Sequence, residues 1–186
     1  MKELSRTQQK TREKFIEALF FYLEAKPLEK ITVRDIVTKA GYNRSSFYLY
    51  FADVYDLADT AEDEVLTKLS SAAEQQFAQE DQIPMEIFMQ KLASQVAKYA
   101  DRISLLVGSA TFQNKFMNLF RPTFSKVSGL NSDMKGYDYL TSLIFAVMLH
   151  NISYWSQHRT EINLLEIAEM TRNIVLPGIR QLQTMA

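Results

Sequence analysis

The chain has no cysteine, so disulfides and thiolate chemistry are excluded, and the composition fits a reducing compartment, the cytoplasm. Its two histidines, His150 and His158, stand eight positions apart in one apolar stretch. Zinc chelation from a helix needs i,i+4 spacing, and with no thiolate to complete a site no metal is expected. Five glycines and four prolines in 186 residues, with few β-branched runs, favour helix over sheet. No apolar run reaches the ~18 residues of a membrane span, and the polar stretch 1–14 has no signal-peptide character. A glycine-rich phosphate loop, a Gly-x-Ser-x-Gly elbow and a convincing carboxylate pair are also missing from the sequence. No catalytic residue, no cofactor and no enzyme activity are therefore expected.

What is present is an ordinary globular composition, 47% hydrophobic and 23% charged, in a chain long enough to bury a real core. The net charge of −1 conceals an asymmetry. Residues 1–51 hold ten Lys/Arg against six Asp/Glu, and the remainder eleven against sixteen. A basic N-terminal part beside an acidic remainder suits attraction to phosphate at one end only.

The informative stretch runs from Ile31 to Leu57. Thr32 followed by Asp35 is a capping box, so a helix begins at Val33. Val33, Ile36, Val37 and Ala40 then mark one narrow apolar face. Gly41 ends that helix, since glycine takes the positive φ of a left-handed cap without penalty. Asn43 caps the next helix, in which Phe47 and Phe51 point inward and leave Arg44, Ser45, Ser46, Tyr48, Leu49 and Tyr50 on outer and flanking arcs. Those outward residues are donors, hydroxyl aromatics and a guanidinium, with no carboxylate among them. The pattern is a helix-turn-helix, whose second helix enters the major groove of DNA. The spacing by itself also fits an ordinary helical corner.

The run Gly41-Tyr42-Asn43-Arg44-Ser45-Ser46-Phe47-Tyr48-Leu49-Tyr50-Phe51, preceded by Ile31-Thr32-Val33-Arg34-Asp35-Ile36, resembles the N-terminal DNA-binding domain of the TetR family of transcriptional regulators. There a glycine turn leads into a small-residue helix ending in Tyr-x-Tyr/His-Phe. The resemblance covers about Thr7 to Leu66; the rest matches that family in length and helical layout. One position departs from it: many members carry a phosphate-binding lysine where this chain has Val54. The resemblance implies an all-α protein in which a three-helix DNA-binding domain is joined by a long helix to a helical ligand-binding and dimerisation domain. Arg44 would pair with guanine, and Ser45 and Ser46 would meet base edges. Tyr42, Tyr48, Tyr50, Arg34 and Lys39 would hold phosphates or flanking positions, with Asn43 and Leu49 on the same surface.

Along the chain, Ser5 or Thr7 caps a first helix reaching about Ala25, with Phe15, Ile16, Leu19, Phe20 and Leu23 inward and Pro27 stopping it. Asp53 caps a long helix reaching about Ala78, whose acidic cluster Asp53, Asp56, Asp59, Glu62, Asp63 and Glu64 reads as a solvated face near a favourable helix N-terminus. The domains are then 1–52, with the connecting helix over 53–79, and 80–186, the break falling at Asp81 to Pro84. Further helices are expected from Pro84 to about Tyr99, over 101–107, over 111–127 with a kink at Pro122, over 137–158 and over 164–176. Pro177-Gly178 is expected to end or kink the last, and 128–136, with its two glycines, reads as a loop.

The last two helices are the most apolar, exceed the needs of one small body, and are expected to join two copies into a homodimer. Such a dimer suits a palindromic operator in double-stranded DNA, whose half-sites are read ~34 Å apart. For a small-molecule effector, which the resemblance implies, the candidate lining is Phe88, Tyr99, Phe112, Phe116, Phe120, Met148, His150, Asn151 and Tyr154, apolar groups with a few polar ones among them. The sequence does not identify that effector. The resemblance implies a repressor released by its effector. The alternatives are an activator, which the run Val54-Tyr55-Asp56-Leu57 and the pair Tyr154-Trp155 faintly suggest by resemblance to activators of dihydroxyacetone kinase operons, and a helical protein-binding adaptor without DNA affinity.

Overall fold

A computed structural model describes residues 5–77, 84–128 and 133–185. Among them are nine α-helices and no strand: α1 (Arg6–Leu23), α2 (Val33–Ala40), α3 (Arg44–Tyr48), α4 (Val54–Phe77), α5 (Met85–Lys98), α6 (Ala100–Leu106), α7 (Ala110–Ser128), α8 (Tyr137–Gln157) and α9 (Leu164–Met185), with a short 3-10 turn over Leu28–Lys30. The all-α class expected from the sequence is the one found. Residue contacts divide the chain into two compact units, Met1–Glu64 and Val65–Ala186, and the division falls inside α4. None of the described helices is long and apolar enough to cross a membrane.

In the smaller unit, α1 packs on α2 and α2 on α3. Ser5 caps α1 through a reciprocal box with Gln8, which satisfies two of the donors left open at a helix start. Thr32 and Asp35 form the second box, and Gly41 closes α2 with φ 76°. The core is aromatic. Phe15 and Phe47 are fully buried and Phe51 is 3% exposed, with the Phe15 ring 5.5 Å from that of Phe47 and 6.1 Å from that of Phe51, both edge-on. Edge-to-face pairs of this kind add ≈ 0.5–1.5 kcal/mol each beyond the area they bury. An Arg12–Glu64 ion pair ties α1 to α4.

The apolar stripe of α4 is buried at Val54, Leu57, Ala58, Ala61, Val65 and Leu69. The acidic cluster is a solvated face at Asp53, Asp56, Asp59 and Asp63. Glu62 departs from it, buried at 4% exposure, because its position follows Ala58 and Ala61 around to the packed side of the helix. No group of acidic or histidine side chains suited to a metal occurs among the described residues.

In the larger unit α9 packs on both α5 and α8, and α8 also meets α6 and α7. A phenylalanine ladder fills this core: Phe116 lies 4.9 Å from Phe120 and 6.1 Å from Phe145, and Phe124 lies 5.7 Å from Phe145. Two prolines sit inside helices. Pro122 leaves α7 running to Ser128, and Pro177 does not end the last helix, which continues to Met185. Each proline removes one helical hydrogen bond. Burial on both sides, Phe120 and Phe124 around the first and Leu176 and Ile179 around the second, keeps those turns packed and offsets the loss. The α3 helix is shorter than its aromatic spacing suggested, ending at Tyr48, yet Phe51 still lies 5.5 Å from Phe47. Of the expected domain break from Asp81 to Pro84, residues 81–83 lie outside the described residues, as do the centre of the 128–136 loop, residues 129–132, and the side chains of Ala72, Met85 and Phe88.

A Cβ placed on Gly41 meets nothing within 4 Å, so its positive φ alone sets the penalty. Gly41→Ala is expected to destabilise the smaller unit by about 1–2 kcal/mol, read as a lower midpoint in chemical denaturation. An unchanged midpoint would show that the turn does not need its left-handed backbone.

Candidate functional site

The helix-turn-helix is held from three sides before any surface residue enters. The Asp35 carboxylate accepts from the Thr32 amide at 2.9 Å, the Thr32 hydroxyl at 2.9 Å and the Lys26 ammonium at 2.8 Å. The Lys26 bond, then the two from Thr32, hold its pKa down to about 2. After Gly41, the Tyr42 amide donates back to the Val37 carbonyl at 2.9 Å, closing the turn. Asn43 Oδ1 then accepts from the Ser46 amide at 2.8 Å and from the Ser45 hydroxyl at 2.7 Å, which starts α3.

On that frame Arg34, Lys39, Tyr42, Asn43, Arg44, Ser45, Tyr48 and Leu49 are exposed, and Ser46 and Tyr50 are half-buried. Leu49 and Tyr48 are the most open apolar groups, 81% and 58% exposed. Positions 36–52 contain no carboxylate, so this face repels no phosphate. Several side chains already have partners. The Tyr42 ring sits 5.2 Å from Phe15, and its hydroxyl accepts from Thr11 at 3.3 Å. Lys39 holds its ammonium 3.3 Å from the centre of the Phe21 ring. With its hydroxyl proton on Asn43, Ser45 meets a base as an acceptor unless that bond breaks. Thr11 and Phe21 escape a sequence reading: Thr11 lies 31 positions from Tyr42, and no local pattern links them.

Next to this face the N-terminus of α4 is acidic. Asp56 accepts from the Ala52 amide at 2.7 Å and Asp53 from the Asp56 amide at 2.9 Å, while Val54 is 6% exposed. Val54 is therefore a core residue, and carboxylates occupy the amides that a phosphate would otherwise meet.

Within the larger unit a cavity of about 290 Å³ opens between α5, α8 and α9, adjoining an apolar recess of about 40 Å³. Of the residues expected to meet an effector, Met148 and Asn151 line both spaces and Phe116 lines the recess. Tyr99, Phe112, Phe120, His150 and Tyr154 line neither. Phe112 and Phe120 belong to the phenylalanine ladder, whereas His150 is exposed and the Tyr154 ring stacks on His158 at 4.1 Å. The side chain of Phe88 lies outside the described residues. Met89, Ala93, Leu165, Ala168, Thr171 and Arg172, all on the cavity wall, were missed because three helices distant in sequence have to meet before the wall exists.

The small three-helix unit with its glycine turn, the long α4 and the five further helices are the architecture of one group of solved structures. The chain has the TetR-family fold. The fatty acid degradation regulator FadR from Bacillus halodurans superposes with a TM-score of 0.72 at 13% identity, covering 96% of this chain and 99% of that one. A TetR-family transcriptional regulator of Syntrophomonas wolfei gives 0.71 at 17%, covering 95% and 96%. FadR from Bacillus subtilis, solved in complex with stearoyl-CoA, gives 0.62 at 13%, covering 89% and 98%. No family model and no curated protein matches the sequence. At such identities the likeness to TetR-family regulators is one of fold.

The depressed pKa of Asp35 carries a pH dependence. Its stabilisation is complete above the ordinary carboxylate value of 3.8 and is lost as pH falls toward about 2. Denaturation series between pH 5 and 2 are expected to show the smaller unit losing roughly 1 kcal/mol that an Asp35→Asn variant does not lose, the figure being reduced for solvent screening. Parallel curves for the two proteins would rule the Asp35 contacts out as its source.

Proposed function

We propose that the chain is a sequence-specific, DNA-binding transcriptional regulator, a homodimeric repressor released from its operator by a small-molecule effector. The observation that carries this reading is the surface of α2 and α3: a guanidinium, hydroxyls and exposed aromatics on a stretch with no carboxylate over positions 36–52, braced from behind by Phe15, Phe47 and Phe51. Arg44 reads a guanine edge bidentately, Ser45 and Ser46 meet neighbouring bases, and exposed Leu49 suits a thymine methyl. Arg34, Lys39, Tyr42, Tyr48 and Tyr50 fix register on the backbone. The acidic start of α4 confines phosphate contacts to α2, α3 and the turn between them.

The dimer is supported by the other end of the sequence. Helices α8 and α9 pack on each other, and each leaves apolar residues open at i,i+4 spacing: Tyr139 and Leu143 at 68% and 45%, Met170 and Ile174 at 60% and 78%. Covering such groups with a second copy removes them from water, and a two-fold pair matches a palindrome. The cavity in the larger unit supplies the effector site. The α4 helix, which has residues in both units, provides a covalent route for the coupling, of ordinary size ~1–3 kcal/mol.

Selection from random duplex DNA at two salt concentrations tests the reading. A palindrome is expected, with affinity falling steeply as salt rises; no enriched sequence would favour a protein-binding adaptor instead. On the selected site Arg44→Ala is expected to lose about 1–3 kcal/mol while changing random-DNA affinity little, and Arg34→Ala to weaken both alike. Equal losses on both DNAs for Arg44→Ala would end the base-reading role. Ile174→Glu is expected to convert a dimer to a monomer in sedimentation velocity; a dimer that survives it would move the interface away from α9.

A further inference from the structure

We infer that the cavity between α5, α8 and α9 takes a small amphipathic carboxylate, its head on Arg172 and its alkyl tail directed past Met148 toward Phe116. The inference rests on the proposal that the larger unit holds an effector site, and it names the chemistry of that site. Polarity is graded along the space. The recess is bounded by Val96, Phe116, Ile152 and Leu164, all but fully apolar, whereas Arg172, Glu169, Thr171 and Asn151 stand around the wider part. An occupant that satisfies both ends has one polar head and one apolar tail. At about 290 Å³ the space sits at the bottom of the ~300–1,000 Å³ range usual for small-molecule sites, so the occupant is small.

The sign of the head follows from Arg172. Its guanidinium, a donor-only cation, is half-buried, 27% exposed, against 64% for its partner Glu169. The two meet through a single contact of 3.2 Å between neighbours on one helix, a weak pairing. A ligand carboxylate can take the guanidinium fork with two bonds and leave Glu169 to the water it already faces. The Asn151 amide donates to the Thr171 hydroxyl at 2.8 Å, which leaves the hydroxyl proton available to the same carboxylate. A cationic head would instead meet the more enclosed member of the pair with like charge.

Titration calorimetry of the 186-residue chain with octanoate, 1-octanol and octylamine tests this. Octanoate is expected to saturate one site per chain, with the alcohol and the amine much weaker. Affinity across hexanoate, octanoate and decanoate should rise about fourfold per CH₂ until the recess is filled. Arg172→Gln is expected to cost octanoate roughly tenfold or more and to leave octanol binding and the helical circular dichroism as in the native chain, while Glu169→Gln keeps or tightens octanoate binding. Equal octanoate affinity in the native chain and Arg172→Gln, octylamine binding more tightly than octanoate, or no rise with chain length would each overturn the inference. If the native protein binds its selected DNA but takes up no octanoate, the carboxylate site falls and the DNA-binding reading stands. If octanoate binds as described and leaves DNA affinity unchanged, the site stands and release by an effector falls.

Discussion

The presentation of α3 depends on the contact of Phe47 with Phe15. Five residues make barely more than one turn, and an isolated helix of that length is not stable in water. Asn43 supplies its first hydrogen bonds, yet a cap contributes only about 1 kcal/mol. Burying Phe47 completely against Phe15 and Phe51 adds ~1.5–3 kcal/mol of transfer free energy and fixes which way α3 is rotated. That rotation turns Arg44, Ser45, Tyr48 and Leu49 outward. The chemistry of the surface therefore rests on an interaction buried beneath it.

The same economy appears in the polar contacts. Asp35 accepts three hydrogen bonds, starting α2 and joining it to Lys26 beyond the end of α1. Tyr42 covers Phe15 with its ring and takes a hydrogen bond from Thr11, so a side chain on the exposed face is also part of the packing. Lys39 rests on Phe21, where a cation–π contact keeps the charge near the surface without a carboxylate to neutralise it. The surface is thereby ordered in advance, which lowers the side-chain entropy lost on binding.

The larger unit solves a different problem. Its phenylalanine ladder fills the space between α7 and α8 so fully that Phe112 and Phe116 are 0% exposed, while the α5, α8 and α9 junction, built from Ala93, Ala168 and the flexible Met89 and Met148, leaves room. Small residues and methionine at a three-helix junction make a cavity that adapts. Large rings stacked along a helix pair make a wall that does not.

Features set by neighbours within four positions were readable from the sequence itself: the two caps at Thr32 and Asn43, the left-handed Gly41 and the inward Phe47. Local backbone preference and helical period determine these, and both are properties of short stretches. Only the tertiary structure decided what depends on distant segments meeting. It buried Glu62, paired Thr11 with Tyr42, carried α9 through Pro177, and chose Met148, Asn151 and Arg172 rather than His150 and Tyr154 for the cavity wall. The physical reason is that a helical period says which side chains share a face, whereas the free energy that selects a face comes from the surface another helix brings to it.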